Sequence, residues 1–442
     1  MNRKSVIVFL LEILTTLFLG GCGFSAGIDT MMKPPKLNVE QEQIYSALTE
    51  RIGSKVSLKY PKSGDYLSAF IISDIDEEPT NEAIVFYERT GLTTTDEPSL
   101  RINILDQRKN GWESVYDYAV ADGSEIEKVM ISKLGSSDKF NIIVGYSTIN
   151  QSEKKVGVYQ YEDGVLTNTL SSRYSMMDIT DIDGNGQNEL LIVSNKNASQ
   201  PAQAHMYMLQ SDNLHYIDAV ANLSENATEY SNIMYGKVND RTTAIFIDSI
   251  VGTGTIQTEV LYPQEQELKK AFTDTSVIAK TVRPSSYASA DIDNDGQIEI
   301  PVPEVFLGYD DMPETEQLQA TAWYICENGS LTRKYSGYYN TLHGYAFMLP
   351  SRWQGQVTIK TDNITDEIIF CKYEGAITDN MTELMRISVT DRKLSDSKLE
   401  EGYQIIRTKS DTDYMVRICE NDSEPLTPTI SEIMFNFFLI EK

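Results

Sequence analysis

One short phrase occurs twice in this chain and constrains its fold more than any other feature. Residues 181–189 read DIDGNGQNE and lead into LLIVS; residues 291–299 read DIDNDGQIE and lead into IPVPEV. Each copy puts oxygen-bearing side chains at loop positions 1, 3, 5 and 9, glycine at position 6, and an apolar run directly behind. A hard cation such as calcium takes several oxygen ligands, and glycine permits the sharp turn that wraps them around it. The twelve-residue calcium loop that opens a helix needs a bidentate carboxylate at position 12. Position 12 is here Ile192 or Val302, inside a β-rich run. The phrase therefore predicts a short strand–loop–strand calcium site. An acidic β-turn has the same composition, but two near-identical copies on a regular interval argue for the ion.

Aligning the chain on the strand behind the loop brings out three degenerate copies. SDIDEEPTNEAIVFY keeps Asp74, Asp76 and Glu82 at positions 1, 3 and 9 but has Pro79 at position 6. SKLGSSDKFNIIVGY opens its loop at Lys133, and the shorter GKVNDRTTAIFID opens at Lys237. Loop starts at 74, 133, 181, 237 and 291 give a period of roughly 50–60 residues. A hairpin follows each loop on the same interval: RINILDQRKNGWESVY, VGVYQYEDGVLTNTL, MYMLQSDNLHYIDAV, EVLYPQEQELKKAF and AWYICENGSLTRKY. Each unit then holds four short strands, two around the loop and two in the hairpin, which is one propeller blade. The expected fold is mainly β: a β-propeller of about five four-stranded blades over residues 54–336, followed by a small α+β domain at 337–442.

The pattern D-x-D-x-[ND]-G-x-x-E before an apolar strand resembles the FG-GAP/VCBS repeats of integrin-α-like β-propellers, over about residues 60–335. That resemblance implies structural Ca2+ held by Asp181, Asp183, Asn185 and Glu189, and by Asp291, Asp293, Asp295 and Glu299, with Gln187 and Gln297 offering backbone carbonyls. Pro79 is locked at negative φ and cannot make the glycine turn, so loop one is expected to be empty or weak. In loops two and four a lysine stands at position 1; Lys133 and Lys237 are expected either to replace the ion as built-in cations or to be solvated relics. The expected stoichiometry is about two calcium ions per chain, in loops three and five.

The N-terminus places the protein at a membrane. Arg3 and Lys4 precede a mostly apolar run, Ser5–Leu19, that is too short to span a bilayer comfortably. It ends in Leu19-Gly20-Gly21-Cys22, similar to the lipobox of bacterial lipoproteins, although Glu12 interrupts the apolar stretch. Residues 1–21 are thus expected to be a signal peptide, Cys22 the lipidation site, and residues 22–38 a tether holding the body at the extracytoplasmic face of the cell membrane. Removing residues 1–21 leaves 36 basic and 64 acidic residues, a net of −28. Such a charge argues against nucleic acid as a partner and suits divalent cations.

Within the body, Asn38 caps an expected helix over 39–53, with Ile44, Leu48 and Ile52 on one face and Gly53 ending it. The C-terminal module is expected to close on a helix opened by Thr429 and Glu432, with Ile430, Ile433, Met434 and Phe437 facing inward. Cys371 and Cys419 lie in one C-terminal segment and could pair, a point the sequence leaves open, while Cys326 reads as a buried free thiol. No HExxH, G-x-S-x-G, CxxC or P-loop occurs, and the chain has three histidines, His205, His215 and His343. The sequence therefore favours a non-enzymatic lipid-anchored propeller that binds an envelope protein or glycan. The alternative is a polysaccharide-cleaving enzyme using the propeller face, whose paired carboxylates would converge only in space.

Overall fold

The computed structural model describes residues 37–89, 100–120, 123–147, 154–213, 215–419 and 424–440. The signal segment, Cys22 and most of the tether lie outside the described residues. No described helix is long and apolar enough to cross a membrane.

The chain enters through the helix Val39–Ile52. The Asn38 side chain accepts from the Gln41 amide at 2.8 Å while Gln41 reaches back to the Asn38 amide, a reciprocal cap that satisfies two orphan donors. Ile44 and Leu48 are fully buried against Phe70, Val85, Tyr87 and Leu105, which contributes roughly 1.5–3 kcal/mol per side chain. The helix is a brace on the first sheet.

Everything behind it belongs to six antiparallel sheets. Sheet one contains Phe70–Ser73, Glu82–Arg89, Leu100–Arg108 and Gly111–Ala119, with Val56–Leu58 sharing an edge with Phe70–Ser73. Sheet two runs Glu125–Lys133, Phe140–Ser147, Lys154–Glu162, Val165–Tyr174; sheet three Met176–Thr180, Glu189–Ser194, Gln203–Leu209, Tyr216–Asn222. Sheet four runs Glu229–Asn239, Thr242–Gly252, Thr255–Gln264, Glu267–Lys270. Each is a meander in chain order, and the five expected hairpins all form. The strands behind loops one to four are buried on both faces, as in Glu189–Ser194, because each is covered on either side; the strand Ile300–Val305 behind loop five is buried only at its first two residues.

Separate hydrophobic clusters join sheet one to two, two to three, three to four and four to five. Among the described residues none joins sheet five or six to sheet one; the helix covers sheet one's free side and the C-terminal module covers that of sheet five. Backbone contacts reinforce the stack where loops meet. Gly135 in loop two donates to the Asn188 carbonyl at 2.7 Å, at a positive φ of 54°. A Cβ there would lie 2.4 Å from the Leu209 carbonyl oxygen, so only glycine fits.

Sheet five departs from the meander of four. It comprises Ile300–Val305, Gln319–Glu327, Ser330–Asn340, Tyr345–Met348 and the C-terminal strand Phe437–Leu439, its first strand being reduced to the Ala290–Glu299 bridge. The repeat region expected to end at Ser336 thus ends inside a strand, and the C-terminal module completes the same sheet. Sheet six, Val357–Asp362, Glu367–Lys372, Glu383–Asp391, Thr412–Ile418 and Gln404–Lys409, packs on it through Tyr345, Phe347, Trp353, Phe370 and Phe437. The closing helix Ile430–Asn436 is capped by Thr429 as expected, but it lasts two turns before becoming a strand. Ile433 and Phe437 face inward while Met434 is exposed, a correction to the expected face. Cys371 and Cys419 do not pair: both are free thiols, and Cys419 Sγ contacts Glu383. Cys326 is buried and free.

A fully buried ion pair lies where sheet four meets the segment leading into sheet five. Arg283 Nη2 donates to Asp248 Oδ1 at 3.1 Å, and both side chains have no solvent exposure. The remaining guanidinium donors reach Thr258, Ser289, and the carbonyls of Thr281 and Tyr287. Deleting one partner strands a buried charge, so Asp248→Ala is expected to cost about 3–5 kcal/mol in urea denaturation. Lys196→Ala, which breaks the exposed pair with Glu225, is expected to cost under about 1 kcal/mol.

Candidate metal loops and an interblade cleft

Three loops bring carboxylates together: Asp74/Asp76/Glu82, Asp181/Asp183/Glu189 and Asp291/Asp293/Asp295, each trio with ligand atoms within 4.8 Å of one another. One hydrogen bond recurs in all three. The glutamate at position 9 begins the buried strand, and its Oε2 accepts the backbone N–H of loop position 2: Glu82 from Ile75 at 2.9 Å, Glu189 from Ile182 at 2.8 Å, Glu299 from Ile292 at 2.9 Å. The apolar residue at position 2 is buried, which pulls the loop back onto the strand.

Position 1 organises the turn. Asp181 Oδ1 accepts from Gly184 and Asn185, and its Oδ2 accepts from Gly186 at 2.8 Å. In loop five, Asp291 accepts from Asp295 and Gly296. Gly186 and Gly296 both sit at φ 86°, as the glycine at position 6 requires. Gln187 and Gln297 donate their backbone N–H groups to Asn185 and Asp295 at 2.7 and 2.9 Å. Loop one keeps the left-handed residue of position 4, Glu77 at φ 63° as against Gly184 at 77° and Asn294 at 59°, which donates to Asp74 at 2.7 Å, so it lacks only the glycine of position 6. Pro79 therefore removes the glycine turn but does not scatter the carboxylates.

The electrostatics are those of a site wanting a cation. Burial, reinforced by the neighbouring aspartates, pushes the Glu82 and Glu189 carboxyls up to about 7, against the opposing backbone hydrogen bond. Glu189 is fully buried, and its Oε1 has no hydrogen-bond partner among the described residues. An orphaned buried carboxylate oxygen beside two aspartates fits a hard divalent ion. Loops one and three therefore fit a metal, with Asn185 as a further oxygen donor in loop three.

Loop five differs. Lys334 Nζ lies 2.9 Å from Asp293 Oδ2, 2.7 Å from Asp295 Oδ2 and 2.7 Å from Glu299 Oε1. Tyr335 Oη donates to Asp293 at 2.6 Å. Although burial works against it, the three carboxylates raise the Lys334 pKa above the usual lysine range. Sequence reasoning did not find Lys334: nothing in LTRKY marks which residue of a hairpin will reach a loop forty residues upstream.

Loops two and four hold no such trio. In loop two the position of the buried glutamate is taken by Asn141, a neutral amide that accepts from Gln160 and donates to the Lys139 carbonyl. Lys133 reaches out of its own loop to Glu77 of loop one, 2.5 Å away, and lies over the Phe140 ring. Loop four has shrunk to a two-residue turn between Asn239 and Thr242. Lys237 lies against Gly296 of loop five, and its amide donates to the Gly296 carbonyl at 2.7 Å. Neither lysine stands in for an ion within its own loop.

At the other end of the same strands is a cleft of about 690 Å³ between sheets two, three and four, lined by Arg173, Tyr174, Asn195, Lys196, Glu229 and Tyr230, among others. A second hollow of about 400 Å³ shares Arg173 and Ser194 with it and adds His205 stacked on Tyr207. Tyr174 Oη, Asn195 Oδ1 and Tyr230 Oη are buried without hydrogen-bond partners among the described residues. Leaving each unmade costs about 1–3 kcal/mol, and each of these atoms is shielded from solvent behind the cleft's lining.

No protein-family model matches the chain, and no curated protein matches it. Solved structures similar to it include the exotype rhamnogalacturonan lyase YesX (9% identity, 75% of this chain and 74% of that one, TM-score 0.31). Others are a rhamnogalacturonan lyase PL11 from Bacillus licheniformis (9%, 74% and 76%, TM-score 0.29) and a thermostable family-43 glycoside hydrolase (10%, 62% and 96%, TM-score 0.27). At TM-scores this low, none of them bears on what the chain does.

The raised Glu189 pKa sets a pH dependence for metal-free protein. Between about 4.5 and about 7 the native state holds a proton that the unfolded chain has released. In chelator, stability is therefore expected to be fully present below the lower value and to fall as pH rises through the upper, by an order of 1–3 kcal/mol. Glu189→Gln should remove one glutamate's share of the fall in chemical denaturation, since Glu82 and Glu299 are raised to about 7 as well, and calcium, which favours the ionised carboxylate, should reduce it.

Proposed function

We propose that this chain is a lipid-anchored, extracytoplasmic β-propeller protein that holds a hydrophilic partner, a glycan in preference to a protein, at the cell envelope, with structural calcium in its blade loops. The five repeat sheets are its blades. Successive interblade clusters support this, and the ends of the array are covered by the helix and the C-terminal module. Cys22 is the anchor and residues 22–38 the tether.

The observation that carries the binding role is the cleft itself, lined by Arg173, Asn195, Lys196 and Glu229, with the orphaned Tyr174, Asn195 and Tyr230 atoms just behind its surface. A concave surface rich in hydroxyls, amides and phenols matches a sugar, which offers a donor and acceptor at almost every carbon. Calcium is supported by the oxygen-only ligand sets of loops one and three.

The test has three parts. The protein should retain envelope polysaccharide in affinity electrophoresis, and Tyr230→Phe together with Asn195→Ala should weaken retention about tenfold; unchanged retention rejects the cleft, and release of new reducing ends identifies a cleaving enzyme instead. Calcium at a hundredfold over its Kd should stabilise the fold by about 2.7 kcal/mol per site, and Asp181→Ala should remove one site's share. Cys22→Ser should release the protein from the membrane fraction.

A further inference from the structure

Lys334 reaches loop five because of a fault in the pairing of its strand. In the last hairpin of sheet five, Trp323 faces Tyr335 and Tyr324 faces Arg333, leaving Lys334 as the extra residue of a β-bulge. Tyr324 also pairs with Ile300, the residue after Glu299, so the bulge lies two strands from the loop's buried glutamate. A bulge re-aims the side chain it inserts, and here the lysine is turned onto the loop. Its side chain is only 14% exposed.

The ammonium touches the carboxylates at positions 3, 5 and 9. A calcium ion coordinated by those groups at its usual 2.3–2.6 Å would occupy the same space. We infer that loop five is a divalent-cation loop whose ion has been replaced by the chain's own lysine: Lys334 is the resident cation, and loop five takes up no calcium. This rests on the calcium reading of the sibling loops and departs from the two-ion arrangement in loops three and five that the sequence implies.

The sibling sheets supply the comparison. Sheet one has the same bulge at the same register, where Leu105 pairs with Ala83 after Glu82, but the inserted residue is Val115, which brings no charge. Sheet three has no bulge in its last hairpin. The orphan oxygens follow that difference. Glu189 Oε1 in loop three is buried and unpartnered, whereas the corresponding Glu299 oxygen accepts from Lys334. Three ammonium donors do not replace the six to eight bonds of calcium, and Asp293 Oδ1 is left over. A calcium ion added to the lysine would place two cations in one cradle. A tethered ammonium neither exchanges nor responds to calcium concentration. Withdrawal of calcium should therefore loosen loops one and three while sheet five, which carries the C-terminal module, stays closed.

Calorimetric titration of the full chain in detergent, after chelation, tests this with calcium chloride as the probe. Lys334→Met keeps the aliphatic stem and removes the charge; it should bind one more calcium per chain than the unmodified protein, and adding Asp291→Asn should abolish the gain. In the unmodified background Asp291→Asn should leave the calcium count unchanged, while Asp181→Ala lowers it by one. This arm decides independently of whether Lys334→Met folds. An unchanged count in Lys334→Met, or a calcium lost in Asp291→Asn alone, overturns the inference. If the unmodified chain binds no calcium but Lys334→Met binds one, the sibling loops are misread and Lys334 is not; if neither binds any, both readings fall.

Discussion

The repeat architecture depends on one buried carboxylate used three times. Glu82, Glu189 and Glu299 are each essentially without solvent exposure, and each spends one oxygen on the amide of loop position 2. That bond fixes where the loop ends and the buried strand begins, so it also fixes strand register and which side chains reach the neighbouring sheet. Burying a carboxylate is unfavourable unless something compensates its second oxygen. The compensation differs at each site. Loop five uses Lys334, loop two avoids the problem with Asn141, and loop three leaves Glu189 Oε1 open. The sites differ in chemistry because they are solutions to the same desolvation cost.

Much of this was legible in the sequence. The period, the five hairpins and the helix with both caps follow from local rules: alternation, turn chemistry and an Asn-Gln capping pair. Loop three was legible as well, because all its oxygens lie within nine residues. What was not legible comes from elsewhere in the chain. Pro79 removes the position-6 glycine turn, yet the left-handed position 4 is kept by Glu77 and the carboxylates of loop one still lie together, which the proline alone does not reveal. Lys133 and Lys237, expected to be cations of their own loops or solvated relics, each lie against a neighbouring loop: Lys133 against loop one before it and Lys237 against loop five after it. Lys334 depends on a single-residue register shift, which no hydrophobic period records. The closing strand Phe437–Leu439 pairs with Tyr345–Met348 some ninety residues upstream, a return that no local pattern marks.

The contacts between loops suggest why the degenerate copies persist. Loop two donates to loop three through Gly135 and Asn188; loop four donates to loop five through Lys237 and Gly296. Lys133 ties loop two to loop one. Each loop without a carboxylate trio thus braces one that has it. A turn that no longer collects carboxylates still contributes backbone donors and, at Gly135, a close approach that a side chain would block.

The acidic loops and the cleft lie at opposite ends of the same strands, and this relates the metal to the proposed binding role. Glu189 opens the strand Glu189–Ser194 at loop three; Ser194 closes it in the cleft. Six residues of extended chain span roughly 20 Å, so an ion in the loop cannot contact a ligand in the cleft. Its influence is on position. Fixing Glu189 fixes the register of a strand buried on both faces, and with it the relative placement of Ser194, Asn195 and Lys196 against Tyr174 and Tyr230 from the adjoining sheets. The three orphaned polar groups come from the end of the strand Val165–Tyr174, the start of the strand Glu229–Asn239 and the residue just after Glu189–Ser194. An ion held in loop three would therefore act on the cleft only through the position of this strand.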